Sequence, residues 1–180
     1  MRLRPRRCVL AAIALIATLA SLATPVPAGA AVAGPDSVQA GETILKSTTK
    51  LLSRFNNGDV AYGRVRLKQE ETVPRYGWAS LYVWCVNSAG STVSCDLIEL
   101  ENGLFHQYWL EGSGWRTLGS ARGPIDSYVG DLVWETPHNC YGKDLDQYRA
   151  LARDIRVTNR AGQLGSYHDV IGETFNGSMC

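Results

Sequence analysis

The sequence predicts a mainly β domain, a disulfide-stabilised β-sandwich of six to eight strands, with an open β-barrel as the alternative and one short helix at its N-terminal end. Three observations carry the prediction. Apolar, β-branched and aromatic residues recur with a period of two between Val60 and Trp134. Gly, Pro, Asn and Ser interrupt that pattern at short intervals. Four cysteines, Cys85, Cys95, Cys140 and Cys180, follow an export-type leader, which favours disulfides over free thiols.

The leader opens with Arg2, Arg4, Arg6 and Arg7, continues as an uncharged run from Cys8 to Thr24, and passes through Pro25 and Pro27 to Ala28-Gly29-Ala30. That order is a secretory signal peptide cleaved after Ala30. The run is long enough for a membrane span, but the basic start, the prolines and the small residues favour cleavage over a retained anchor. Membrane contact is therefore expected only through the signal peptide. Cys8 stands at the start of the run, not at its end, which argues against a lipoprotein. Removing residues 1–30, which hold four of the 18 basic residues and no acidic one, leaves 150 residues with a formal charge of −3. This is the size of a single domain. Residues 31–41 are small and flexible, and residues 42–180 form the domain. With 18 basic against 17 acidic residues, no nucleic-acid surface is expected, and 45% hydrophobic content excludes a disordered chain.

Along the domain, Ile44, Leu45, Leu51, Leu52 and Phe55 match a helical stripe that Asn56-Asn57-Gly58 would end, so residues 42–55 are the short helix. Thr48, Thr49 and the turn-like Asn57-Gly58-Asp59 leave a hairpin into the next strand as the alternative. Strands follow at Val60 to Lys68, Trp78 to Val86, Val93 to Glu101, Leu104 to Glu111 and Tyr128 to Trp134. Breaks fall at Pro74, Gly112-Ser113-Gly114, Gly123-Pro124 and Pro137. Tyr148 to Val157 fits both periods and is read as a strand because its surroundings are β.

Two turns set registers. Asn102-Gly103 is a strong two-residue hairpin signal, because both residues accept φ > 0 cheaply. It pairs Leu100 with Phe105, Ile98 with Gln107 and Asp96 with Trp109. The loop Asn87 to Thr92, taken as symmetric about Gly90, pairs Cys85 with Cys95 and Trp84 with Asp96. The expected bridges are therefore Cys85–Cys95 and Cys140–Cys180. The resulting sheet is apolar on both faces and needs cover on both, which a sandwich provides.

No Gly-x-Ser-x-Gly elbow, His-Glu-x-x-His, phosphate-binding loop or dinucleotide loop is present, so no catalytic residue and no cofactor is assigned. Metal binding is the weaker reading of the cysteines: there is no Cys-x-x-Cys, and none of His106, His138 and His168 stands at a zinc-type spacing. Asp126, Asp131, Glu135, Asp144 and Asp146 match no calcium loop and are read as solvated charge. Ser166, His168 and Asp169 resemble a triad only on paper, since neighbouring residues on a strand point to opposite faces. Glu99 and His106 fall opposite each other across the Asn102-Gly103 turn. Such a pair is more often a surface contact than a general base with its orienting carboxylate.

The aromatic content, 5 Trp and 8 Tyr against 3 Phe, favours rings that carry a polar handle and suit half-wet surfaces. The combined registers set Trp84, Asp96 and Trp109 in one row, with a carboxylate between two indoles. If open, the row is a ligand platform; if closed, it is core. The core reading weighs more, because the same face continues into Ile98, Leu100 and Phe105. The expected function is a secreted binding protein whose partner is an extracellular glycan or protein. A small secreted hydrolase with an unrecognised site and a secreted protease inhibitor are the alternatives, although Asn87 to Thr92 shows no specificity residue for the latter.

Overall fold

The structure, a computed structural model, describes residues 40–121, 132–140 and 147–179, all within the compact unit Val32–Cys180. Among them run ten strands and no helix: β1 (Glu42–Arg54), β2 (Val60–Glu70), β3 (Gly77–Val86), β4 (Thr92–Val93), β5 (Leu97–Leu110), β6 (Gly114–Ala121), β7 (Leu132–Glu135), β8 (Gln147–Thr158), β9 (His168–Ile171) and β10 (Phe175–Asn176). They form two antiparallel five-stranded sheets. The first is ordered β1-β2-β3-β4 with β7 also on β3. The second is ordered β10-β8-β5-β6 with β9 also on β8.

The helix expected over residues 42–55 is strand β1 instead, paired with β2 through the turn at Asn57-Gly58-Asp59, where Gly58 takes φ +86° and Phe55 N–H donates to Asp59 C=O. The reason lies in two β-bulges. Leu45 and Leu52 are the extra residues of β1, standing between Ile44 and Lys46 and between Leu51 and Ser53. Each bulge shifts the inward parity, so Leu52 enters the main core and Leu45 a smaller cluster beside it. Their spacing of seven equals two helical turns, which is why a bulged strand imitates a helical stripe.

A second correction concerns Asn102-Gly103. No hairpin forms there. β5 runs straight through, with β8 beside both halves: Leu100 faces Ile155 and Gly103 faces Arg153. Glu101 and Asn102 bulge out of the ladder, Gly103 takes φ +100°, and the Asn102 amide bonds the Asp154 carboxylate. The backbone freedom of Asn-Gly serves a bulge here, because the twelve residues of β8 pair with both halves of β5 and leave neither half for the other. The pairings Leu100–Phe105, Ile98–Gln107 and Asp96–Trp109 are replaced by Ile98 with Val157, Phe105 with Leu151 and Gln107 with Arg149. Strands β2, β3 and β8 lie where the sequence places them.

The Cys85–Cys95 disulfide is formed, with Cα atoms 5.2 Å apart, but in another register: Cys85 faces Val93 across the β3–β4 ladder. After β4 the chain leaves the first sheet, and Asp96 N–H already donates to Thr158 C=O of the second. The bridge thus ties the two sheets together at their crossover, with both cysteines buried. It suits an oxidising compartment. Cys140 is also disulfide-bonded, whereas Cys180 lies outside the described residues.

Between the sheets, Val65 of β2, Leu81 and Val83 of β3, Leu100 and Leu104 of β5, Ile155 and Val157 of β8 and Val170 of β9 pack into one core. Further along, Leu67, Tyr148 and Met179 form a second cluster, where a Cβ on Gly77 would fall 1.9 Å from Met179 Cε. At the opposite margin Asn159 donates to the side chains of Asn57, Asp59 and Gln163, joining the β1–β2 turn to the turn after β8.

Candidate ligand platform

The three residues expected to form a row are separated. Trp84 lies on the outer face of the first sheet, 1% exposed, stacked on Tyr62 and Tyr82 with the Arg64 guanidinium over its ring. Asp96 is exposed at the crossover between the sheets. Trp109 stands near the far end of β5, 40% exposed. Twelve residues of nearly continuous strand separate Asp96 from Trp109, roughly 40 Å of extended chain.

A different group gathers around Trp109. Leu104, His106 and Tyr108 of β5 point into the molecule, so Gln107 and Trp109 point out of the second sheet. The β5–β6 hairpin turns through Gly112 and Gly114, both at φ +74°, with Ser113 N–H donating to Leu110 C=O. This turn sets Trp115 directly opposite Trp109, and the two indoles meet edge to face at 5.6 Å and 70°. On the other side of β5, Arg149 faces Gln107 and donates from Nε to Gln107 Oε1 at 2.9 Å. Its guanidinium reaches over the Trp115 ring, 4.0 Å from the centroid. Two indoles, a carboxamide and a guanidinium from three adjacent strands thus form one half-open surface.

The electrostatics of that surface are one-sided. Burial, and then the like charge of Arg153, lower the Arg149 pKa from its ordinary value. Two other arginines of β8 have carboxylate partners: Arg153 with Asp169 at 3.9 Å, and Arg156 with Glu99 in a two-point contact. Among the described residues no carboxylate pairs with Arg149.

Glu99 and His106 do not meet. Glu99 accepts from Arg156, which holds its carboxyl below the ordinary value, while His106 is fully buried with neither ring nitrogen hydrogen-bonded. Burial pushes the His106 pKa down to about 4. Asp169 accepts the Asp154 N–H and faces Arg153. Among the described residues no hydroxyl or thiol bonds a histidine ring. Of the acidic residues considered for calcium, Glu135 accepts from Lys68 and Trp78, and Asp126, Asp131, Asp144 and Asp146 lie outside the described residues. No cluster of three or more His, Cys, Asp or Glu fit for a metal ion occurs among the described residues.

Of the residues in this group, sequence reasoning singled out Trp109 as a candidate and not Trp115, Gln107 or Arg149. One signal for Trp115 was present: Trp109 and Trp115 are equidistant from Gly112 in the break Gly112-Ser113-Gly114. Arg149 had none, because β8 is far away in sequence. Comparison of the chain with protein-family models, curated proteins and solved structures finds no match in any of the three.

Proposed function

We propose that this is a secreted, non-enzymatic binding protein that takes a glycan on the outer face of its second sheet, around Trp109. One observation carries the reading: a partly exposed Trp109 set edge-on to Trp115, beside polar groups already fixed by the Arg149–Gln107 hydrogen bond. A sugar ring has an apolar C–H face that packs on an indole, and hydroxyls that need planar donors and acceptors at its rim. The polar groups here are held before a ligand arrives, so little rotamer entropy is lost on binding. Secretion is supported by the leader sequence and by disulfide-bonded cysteines.

Affinity electrophoresis in gels containing soluble neutral and acidic polysaccharides tests the reading. The wild-type protein is expected to be retarded by at least one of them, and Trp109→Ala to migrate as in a plain gel while melting within a few degrees of wild type. No retardation in any gel would overturn the glycan reading and point to a protein ligand.

A further inference from the structure

We infer that the glycan is acidic, its uronate carboxylate or sulfate ester seated on the Arg149 guanidinium while a neighbouring sugar face packs on Trp109. The inference rests on the glycan reading above and narrows its ligand class. Three arginines, Arg149, Arg153 and Arg156, lie on one strand, and two of them have a carboxylate while Arg149 has only the neutral Gln107 oxygen and the Trp115 ring. Arg149 is also held in place, pinned at Nε and stacked through its plane. Its two Nη atoms are left as a planar fork without a partner among the described residues, the geometry that takes a carboxylate or sulfate at two points.

The rest of the patch agrees in sign. Gln107 spends its carbonyl oxygen on Arg149, which leaves its amide as a donor. The indoles of Trp109 and Trp115 are donors only. A surface for neutral sugars needs acceptors for hydroxyl protons; this one offers mainly donors and an uncompensated positive charge, so its complement is an anion with several acceptor oxygens. Arg153 adds to the positive field at Arg149.

The test uses polymers with one backbone and two charge states. Binding of polygalacturonate and of its fully methyl-esterified form is measured by affinity electrophoresis, alongside a sulfated galactan and its unsulfated parent. The wild-type protein is expected to prefer an anionic form over its neutral counterpart by roughly tenfold or more. Preference within the galacturonan pair assigns a carboxylate, and preference within the galactan pair assigns a sulfate. Arg149→Gln should abolish the preference, and Arg149→Lys, which keeps the charge without the fork, should retain part of it, with thermal melting checking that both variants fold. Equal wild-type binding of charged and neutral polymers, both lost in Trp109→Ala, would overturn the acidic inference and leave the glycan reading standing. Absence of wild-type binding to every polymer would overturn both.

Discussion

On the outer face of the first sheet, Trp84 is 1% exposed, flanked by Tyr62 and Tyr82 and capped by Arg64. On the outer face of the second, Trp109 is 40% exposed beside Trp115, with Arg149 stacked on the latter. Both faces use indoles and guanidiniums at period-two spacing, and composition alone does not separate them. Counter-charge and closure do. The cation at the other end of the first face, Lys68, is buried between Glu42 and Glu135 at 3.0 Å each, and the Trp78 beneath it stacks on His138. On that face the lysine charge is neutralised by two carboxylates. Arg149 on the second face has no carboxylate among the described residues, so its remaining hydrogen-bonding capacity is turned outward.

The sharpest way to break the comparison is to truncate one indole from each face. Trp84→Ala should cost about 3 to 5 kcal/mol, the range for a fully buried aromatic whose removal leaves a cavity, and Trp109→Ala less than about 1 kcal/mol. Urea denaturation of both variants measures the difference. Similar losses would mean that the second face is as closed as the first.

Protonation gives the next largest effect. His106 is neutral in the folded state down to about pH 4 but titrates near 6.5 when unfolded. Because the folded pKa is the lower one, the unfolded chain binds the proton first, so stability is full above pH 6.5 and falls as pH drops towards 4. The loss reaches about 3 kcal/mol at the lower limit. His106→Leu should flatten that slope between pH 6.5 and 4.5, a window above the range where the lowered Glu99 carboxyl contributes. Thermal melting across this range follows it, and an unchanged slope in the variant would place the acid sensitivity elsewhere.

The smallest effect belongs to the open face. Glu99→Gln removes the partner of Arg156 from a solvent-screened site and should cost under about 1 kcal/mol. The same variant should lose the extra acid sensitivity below pH 4.5, since a depressed carboxyl stabilises above its unfolded value and stops doing so once protonated in the fold. A loss of several kcal/mol in chemical denaturation would show that this face is more tightly built than its exposure indicates.

How far the sequence was legible depends on what each signal refers to. Alternation is local, and β2 and β3 were readable from it, whereas β8 fits both periods and was read as a strand from its β surroundings. Bulges are also local but cancel the alternation, so β1 read as a helix through Leu45 and Leu52. Asn102-Gly103 announces backbone freedom and not its use; whether it reverses the chain depends on β8, some fifty residues later. The Cys85–Cys95 bridge was found despite the wrong register, since a short loop brings the two sulfurs together in either pairing. The platform was half legible. Trp109 stands out as an aromatic near a turn, but its exposure and the arrival of Arg149 over Trp115 are properties of the assembled sheet.

The contrast between the faces is tested most directly by the five indole N–H signals in a nitrogen-15 correlation spectrum, followed while a soluble acidic oligosaccharide is added. The account predicts that the Trp109 and Trp115 signals move in a saturable way while those of Trp78, Trp84 and Trp134 stay in place. Movement of Trp84 or Trp78 with Trp109 and Trp115 fixed would contradict it, because the ligand would then be entering the face that the structure shows as closed.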